Sequence, residues 1–303
     1  MFCIYILCIG KIVRKHGFSF HIYADDTQIY VGVKPDAAAS VLVRLEKCLE
    51  EIRAWMCVHK LKLNDDKTEF MMISTKSKLK KMGELSLHMG ATAVPAAESA
   101  RNLGVIIDKV MDMDAQVTAI CKSAYFQLHN IGAIRRYLTP EVTAQLIHAF
   151  VTSRLDYCNA LLYGITDECL RKLKRVQNTA ARIITLSRKY DHITPILKML
   201  HWLPIHLRIE FKILLLTYKA LHGLAPVYLS ELLVIQVQER SLRSANKECR
   251  LVVQTVQTNP KTGDKAFSVT APKLWNQLPL DIRNAKSVDC FKRKLKTYYF
   301  TMF

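Results

Sequence analysis

The sequence predicts an α+β N-terminal part followed by a mainly helical remainder. Three observations carry this. Before about residue 110, short apolar runs alternate with polar residues and are bounded by turn-forming clusters. From about residue 112 the apolar spacing changes to three and four. Half of the 303 residues are hydrophobic, enough for a substantial core and too many for a disordered tail. The expected divisions are residues 1–110, residues 111–233, and residues 234–303 as a linker with a basic helical tail.

The first ten residues are apolar but too few to span a bilayer. Lys11, Arg14 and Lys15 follow the run, whereas a secretory signal carries its charge first. The segment reads as a core helix of a larger domain, with a membrane anchor as the alternative. Residues 18–23 read as a strand and 27–33 as its return, with Asp25 and Asp26 in the turn. Pro35 and Asp36 open a helix to about residue 58. Val41, Leu42, Leu45, Cys48, Leu49, Ile52, Trp55 and Met56 form its apolar stripe, packed on the hairpin. Residues 60–63 and 68–73 read as strands joined by a turn at Asn64-Asp65-Asp66. A lysine-rich loop over 76–81 leads to strands at 85–89, 91–94 and 103–107.

Beyond residue 112, Val117, Ile120, Cys121, Ala124, Tyr125, Leu128 and Ile131 make one helical seam. Thr139-Pro140-Glu141 starts a helix carrying Val142, Leu146, Phe150 and Leu155. Thr166 or Asp167 caps the next, which runs through Leu170, Leu173, Val176, Ala180 and Ile183. Its outer face holds Arg171, Lys172, Lys174, Arg175 and Arg182. Thr194-Pro195 starts a short helix, and Pro204 a longer one ending near Gly223. Residues 234–268 are polar and aperiodic, hence the linker. Val288, Phe291, Leu295 and Tyr298 mark the terminal helix.

The net charge of +18 and pI of about 9.5 point to nucleic acid or an anionic membrane surface, or to a basic face that is merely solvated. The nine cysteines include no Cys-x-x-Cys pair and no zinc-finger spacing. They read as free thiols of a reducing compartment, with Cys48 and Cys121 as small core residues. His201-Trp202 reads as packing, because no carboxylate stands at telling spacing.

Two carboxylates at a hairpin tip can converge, as Mg²⁺ requires, whereas along a strand they would point to opposite faces. On the tetrapeptide Tyr23-Ala24-Asp25-Asp26 alone, an ordinary Asp-Asp turn explains the pattern equally well. The block His21-Ile-Tyr-Ala-Asp-Asp-Thr-Gln-Ile-Tyr30 changes that balance. It closely resembles the catalytic hairpin of reverse transcriptases, specifically those of non-LTR (LINE-type) retrotransposons of the jockey and chicken-repeat kind. Trp55–Asn64, Lys67-Thr68-Glu69 and Asn102-Leu103-Gly104-Val105 resemble the following blocks of that family. Ser153–Asn159, His201–Ile205 and Ala271–Asn276 resemble C-terminal segments of the same elements.

The resemblance implies a partial polymerase palm, then a thumb-like helical region. It implies RNA-templated DNA synthesis by Mg²⁺-dependent nucleotidyl transfer, with an RNA template, a DNA primer and deoxynucleoside triphosphates as partners. Asp25 and Asp26 carry over as catalytic metal ligands, and Tyr23 and Ala24 as neighbours of the primer terminus. Leu103 and Gly104 match the block that holds the primer end. Lys67 matches a lysine linked to protonation of the departing pyrophosphate; a solvated strand-edge lysine is the alternative. Arg171, Lys174, Arg175 and Arg182 become candidate phosphate contacts. In the family a third metal-binding aspartate lies upstream of the hairpin, yet residues 1–24 contain no Asp or Glu. The chain is therefore expected to be the C-terminal part of such an enzyme, inactive alone. The alternative is a non-catalytic nucleic-acid-binding remnant. An intracellular setting, cytoplasmic or nuclear and without a membrane, is expected.

Overall fold

The computed structural model describes residues 2–83, 85–90, 92–236, 250–254 and 263–303. They form two compact units, residues 1–111 and 112–303. The architecture is α+β, with small antiparallel hairpins in the first unit and helices in the second. Among the described residues no helix is long and apolar enough to cross a membrane.

In the first unit, α1 (Phe2–Lys15) leads into the hairpin β1 (Ser19–Tyr23) and β2 (Asp26–Tyr30), followed by α2 (Ala38–Val58). Ile6, Ile9 and Val13 of α1, Phe18, and Cys48 and Ile52 of α2 form a buried cluster. Phe20, Ile22 and Ile29 of the hairpin pack against it, as do Leu45, Leu49, Trp55 and Met56. The predicted α2 stripe thus faces the hairpin. Burial raises the Cys48 thiol to about 11, which keeps it protonated and inert. Gly10 is required where α1 passes the hairpin, because a Cβ there would collide with the Phe20 ring. Glu51 of α2 accepts from Lys15 Nζ at 2.8 Å and pairs with His16 Nε2 at 2.8 Å. These two partners, Lys15 first, hold its carboxyl below the usual range.

The strands expected at 60–63 and 68–73 do not form. The α2 terminus takes the donors of the first: Lys60 is left-handed (φ 58°), and Leu61 N–H donates to Met56 O at 2.8 Å. This cap closes the helix and leaves no ladder to build. Asp65–Lys67 is a turn of 3₁₀ helix, and Asp65 binds Arg53 of α2 at 2.8 Å. The second segment keeps only an isolated parallel bridge, Phe70 to Ala96. The lysine-rich loop is instead α3 (Lys76–Met82), capped by Thr75 and ended at Gly83 with φ 68°. Lysine is a good helix former, and a capping threonine outweighed the absence of apolar periodicity. Two further hairpins follow, β3 (Ser86–Met89) with β4 (Thr92–Pro95), and β5 (Ser99–Asn102) with β6 (Val105–Asp108).

In the second unit, α4 (Asp114–Ile134) buries Val117, Ile120, Ala124, Leu128 and Ile131 as expected. Cys121 lies at the rim and Tyr125 is 41 % exposed. Thr139 caps α5 (Pro140–Ile147), accepting from Val142 N–H at 3.3 Å. The seam is shifted from the predicted one: Thr143, Ile147, Val151 and Leu155 are buried, while Val142 and Phe150 face outward. A π turn at His148–Thr152 joins α5 to α6 (Ser153–Asp156). Its wider turn keeps residues four apart on one face, where an ordinary helix would let them drift.

Helix α7 (Asp167–Thr185) is capped by Thr166 and buries Leu173, Val176, Ala180 and Ile184. Arg135 closes its C-terminus from a buried position, donating to the carbonyls of Ile183, Ile184 and Leu138 at 2.8, 2.9 and 2.7 Å. Next come α8 (Ile193–Met199), α9 (Ile205–Leu221) and a short α10 (Val227–Ser230). The expected linker lies largely outside the described residues. Its described part packs: Ile235 bridges Leu251, which is 1 % exposed. Both ends of the Asn276 amide bond the Leu251 backbone, at 2.9 and 2.8 Å. Asn276 belongs to α11 (Phe267–Gln277), followed by α12 (Leu280–Arg283) and α13 (Val288–Met302). α11 and α13 both pack on α9. Trp275, Phe291 and Tyr218 stack in series between them, with centroids 5.9 and 4.5 Å apart. In α13, Tyr299 is buried in place of the expected Tyr298, continuing the four-residue spacing of Phe291 and Leu295.

Candidate polymerase hairpin and basic helix

The β1–β2 hairpin turns in two residues. Tyr23 pairs with Asp26, and Ala24 and Asp25 form the link. Ala24 has φ 54°, a left-handed conformation that costs a residue with a Cβ about 1–2 kcal/mol. The register fixes the faces. Phe20, Ile22, Thr27 and Ile29 share one side, toward the α1/α2 core. His21, Tyr23, Asp26, Gln28 and Tyr30 share the other. Tyr30 stacks on His21 with centroids 5.2 Å apart and contacts its Nε2 through the hydroxyl at 3.1 Å. Asp26 therefore opens the second strand on the outward face beside Tyr23, and Asp25 stands at the tip. All three are exposed, Tyr23 by 69 %.

Exposed, adjacent carboxylates on a rigid two-strand support suit a hard cation, which takes one or two protein carboxylates and keeps several waters. Among the described residues, however, no three His, Cys, Asp or Glu side chains gather to hold a metal ion. The donor chemistry fits Mg²⁺, but two carboxylates do not complete a two-metal clamp. Lys67 is exposed at the end of its 3₁₀ turn.

Leu103 and Gly104 are not in a strand. They are the two-residue turn between β5 and β6, with φ 44° and 82°. Two positive φ values in a two-residue hairpin match the twist of the strands, and this turn type favours Asn-Gly. A leucine at the first position is strained and 42 % exposed. The sequence signal, Asn-Leu-Gly before an apolar run, fitted a strand start as well as a turn.

The basic face of α7 is only partly open. Arg171 and Arg175 are exposed, and Lys174 is half-buried. Arg182 is committed to its own loop, donating to the carbonyls of Arg188 and Asp191 at 3.2 and 3.1 Å. Lys172 pairs with Glu168 at 3.5 Å and with Asp114 at 4.0 Å. Loop geometry beyond residue 185 decides Arg182, and no spacing rule within the helix could have shown it. The C-terminal motifs hold side chains that spacing alone did not single out. Asp156 forms a two-bond pair with Arg208, whose Nε lies 2.9 Å from Asp156 Oδ1. Trp202 is 6 % exposed, its ring edge-on to His148 at 5.4 Å, which fits packing.

No curated protein and no solved structure matches the chain. Residues 1–107, which carry the aspartate hairpin and the Leu103-Gly104 turn, match the model of the family described as reverse transcriptase (RNA-dependent DNA polymerase).

Proposed function

We propose that the first unit is part of the palm of an RNA-directed DNA polymerase of the non-LTR retrotransposon kind. In this proposal residues 111–233 form its thumb-like region. The observation that carries it is the two-residue turn that sets Asp25 and Asp26 in solvent, within the residues matched by the family model. Asp25 and Asp26 would hold Mg²⁺, which in such enzymes neutralises phosphate charge and activates the attacking hydroxyl. Tyr23 and Ala24 lie beside the carboxylates, where a primer end would approach. Leu103 and Gly104 offer a second turn to the primer strand. Lys67 supplies a cation for the departing pyrophosphate. Arg171, Lys174 and Arg175 contact template or primer phosphates; Arg182, tied to its loop, serves the fold instead.

Two carboxylates leave the clamp short of a third, so residues 1–303 alone are expected not to extend a primer. The test is extension of a DNA primer on an RNA template with Mg²⁺ or Mn²⁺. It uses the chain alone and the chain fused behind a related polymerase segment bearing the third aspartate. Extension is expected only in the fusion, and is lost on Asp25→Ala. Asp25-dependent extension by the chain alone would overturn the incomplete-site part. A fusion with an intact fold and no extension would overturn the polymerase part.

A further inference from the structure

Two C-terminal motifs that the polymerase reading leaves without a task meet at one pocket of the second unit. Its volume is about 320 Å³. Asp156 and Asn159 come from the motif Ser153–Asn159, and His201 from the motif His201–Ile205. Arg208 and Lys212, one turn apart on α9, and Lys296 of α13 complete the polar wall. Residues far apart in sequence thus converge from four segments.

The charge balance is uneven. Asp156 and Arg208 neutralise each other through their two-bond pair. Lys212 and Lys296 have no carboxylate within 4.0 Å among the described residues. Lys296 Nζ lies 5.8 Å over the Phe300 ring, and His201 meets the same ring edge-on at 6.2 Å. The pocket therefore offers two uncompensated ammonium groups beside a guanidinium already oriented by its carboxylate.

Two further observations mark the site as built. Asn159 is 3 % exposed, and its Oδ1 is buried without a hydrogen-bond partner. A buried acceptor left unmet is costly and calls for a donor, which an ordered water bridging to a bound group supplies. Each motif also holds a non-glycine residue in the left-handed region next to the pocket: Cys158 at φ 50° and His201 at φ 54°. His201 ends α8 in a position that ordinarily takes glycine. Its N–H donates to Lys198 O at 3.0 Å, and Trp202 N–H donates to Leu197 O at 2.8 Å. Such strain persists where the surroundings over-determine it, commonly at ligand sites.

We propose that this pocket binds a phosphate monoester, borne by a free nucleotide or by the 5′ end of a nucleic-acid strand. A monoester carries about −1.5 to −2 charge at neutral pH, which matches two unpaired lysines, and it presents several acceptor oxygens. The pocket is at the small end of ligand-site volumes, room for one phosphate and part of what bears it. The proposal is independent of the polymerase reading, which concerns other residues.

Calorimetric titration of the full chain tests it. The probes are a nucleoside 5′-monophosphate, the matching nucleoside, and one oligonucleotide with and without a 5′ phosphate. The proteins are wild type, Lys212→Ala and Lys296→Ala, with the fold of each variant checked by circular dichroism. A phosphate-bearing probe is expected to bind at least about tenfold more tightly than its phosphate-free counterpart, and each variant to weaken that binding about tenfold. Preference for the mononucleotide identifies the free nucleotide as ligand, and preference confined to the oligonucleotide identifies the strand end. Equal affinity with and without phosphate in both pairs overturns the proposal. So does unchanged affinity in both lysine variants.

Discussion

The two units differ in where they put their polar chemistry and how they stabilise what surrounds it. The first unit contributes ten buried hydrophobic residues among those described, the second thirty-nine. Among its described residues the first has three separate two-stranded hairpins and no larger sheet. A lone hairpin is marginal in water and needs a helix against it. Here α1 and α2 provide that support for β1–β2, and the acidic tip stands clear of the core. The second unit stacks Trp275, Phe291 and Tyr218 at its centre, and Tyr218 OH donates to Ala285 O at 2.7 Å. Its uncompensated charge is basic, with Arg171 and Arg175 on α7 and Lys212 and Lys296 at the pocket beside Arg208. An exposed acidic turn can be changed at little cost to folding, whereas the helical unit depends on burial.

The largest effect expected from this comparison is Trp275→Ala. The indole is fully buried, so its removal should cost about 3–5 kcal/mol, read by urea denaturation. A loss below about 1 kcal/mol would break the view that stacking holds the second unit together. An intermediate effect is expected from the basic face. Replacing Arg171, Lys174 and Arg175 together by alanine should leave the fold intact and weaken binding to single-stranded RNA. The log–log salt slope should drop by about 2 if each side chain meets a phosphate. An unchanged slope would move nucleic-acid binding off α7. The smallest effect on stability is expected at the acidic tip: Asp25→Asn with Asp26→Asn should shift unfolding by no more than about 0.5 kcal/mol. A larger loss would show that these carboxylates hold the turn, and the contrast between the units would narrow.

Much of the molecule was legible in the sequence because its signals were local. The hairpin with its aspartates, the α2 stripe, and the caps at Thr139, Thr166 and Gly223 all rest on residues within one turn or one strand pair. The carboxylate pair was legible for the same reason: two adjacent aspartates between alternating runs leave few other conformations. Local propensity also misled in identifiable places. Lys60–Leu63 alternates like a strand, but its first donors close α2. Thr75 to Gly83 carries helix signals at both ends, although its middle lacks an apolar stripe. The α5 seam expected at Val142, Leu146 and Phe150 lies one residue later, at Thr143, Ile147 and Val151, because a buried threonine gives no apolar signal in the sequence.

What the sequence by itself determined are the features governed by near neighbours: the change of class near residue 112, the helix starts, the turn that exposes Asp25 and Asp26, and the basic surplus. Only the tertiary structure decided the features that need distant chain to meet. Arg182 is one cation of a basic stripe in the sequence and a loop anchor in the fold. Asn276 is a residue of an α11 motif and, once folded, the clamp on Leu251. Asp156, His201, Arg208 and Lys296 are unrelated positions until α6, the end of α8, α9 and α13 bring them around one pocket. Hydrogen bonds and charge pairs act over a few ångströms of space and ignore sequence separation, so that arrangement could be read only after the chain had folded.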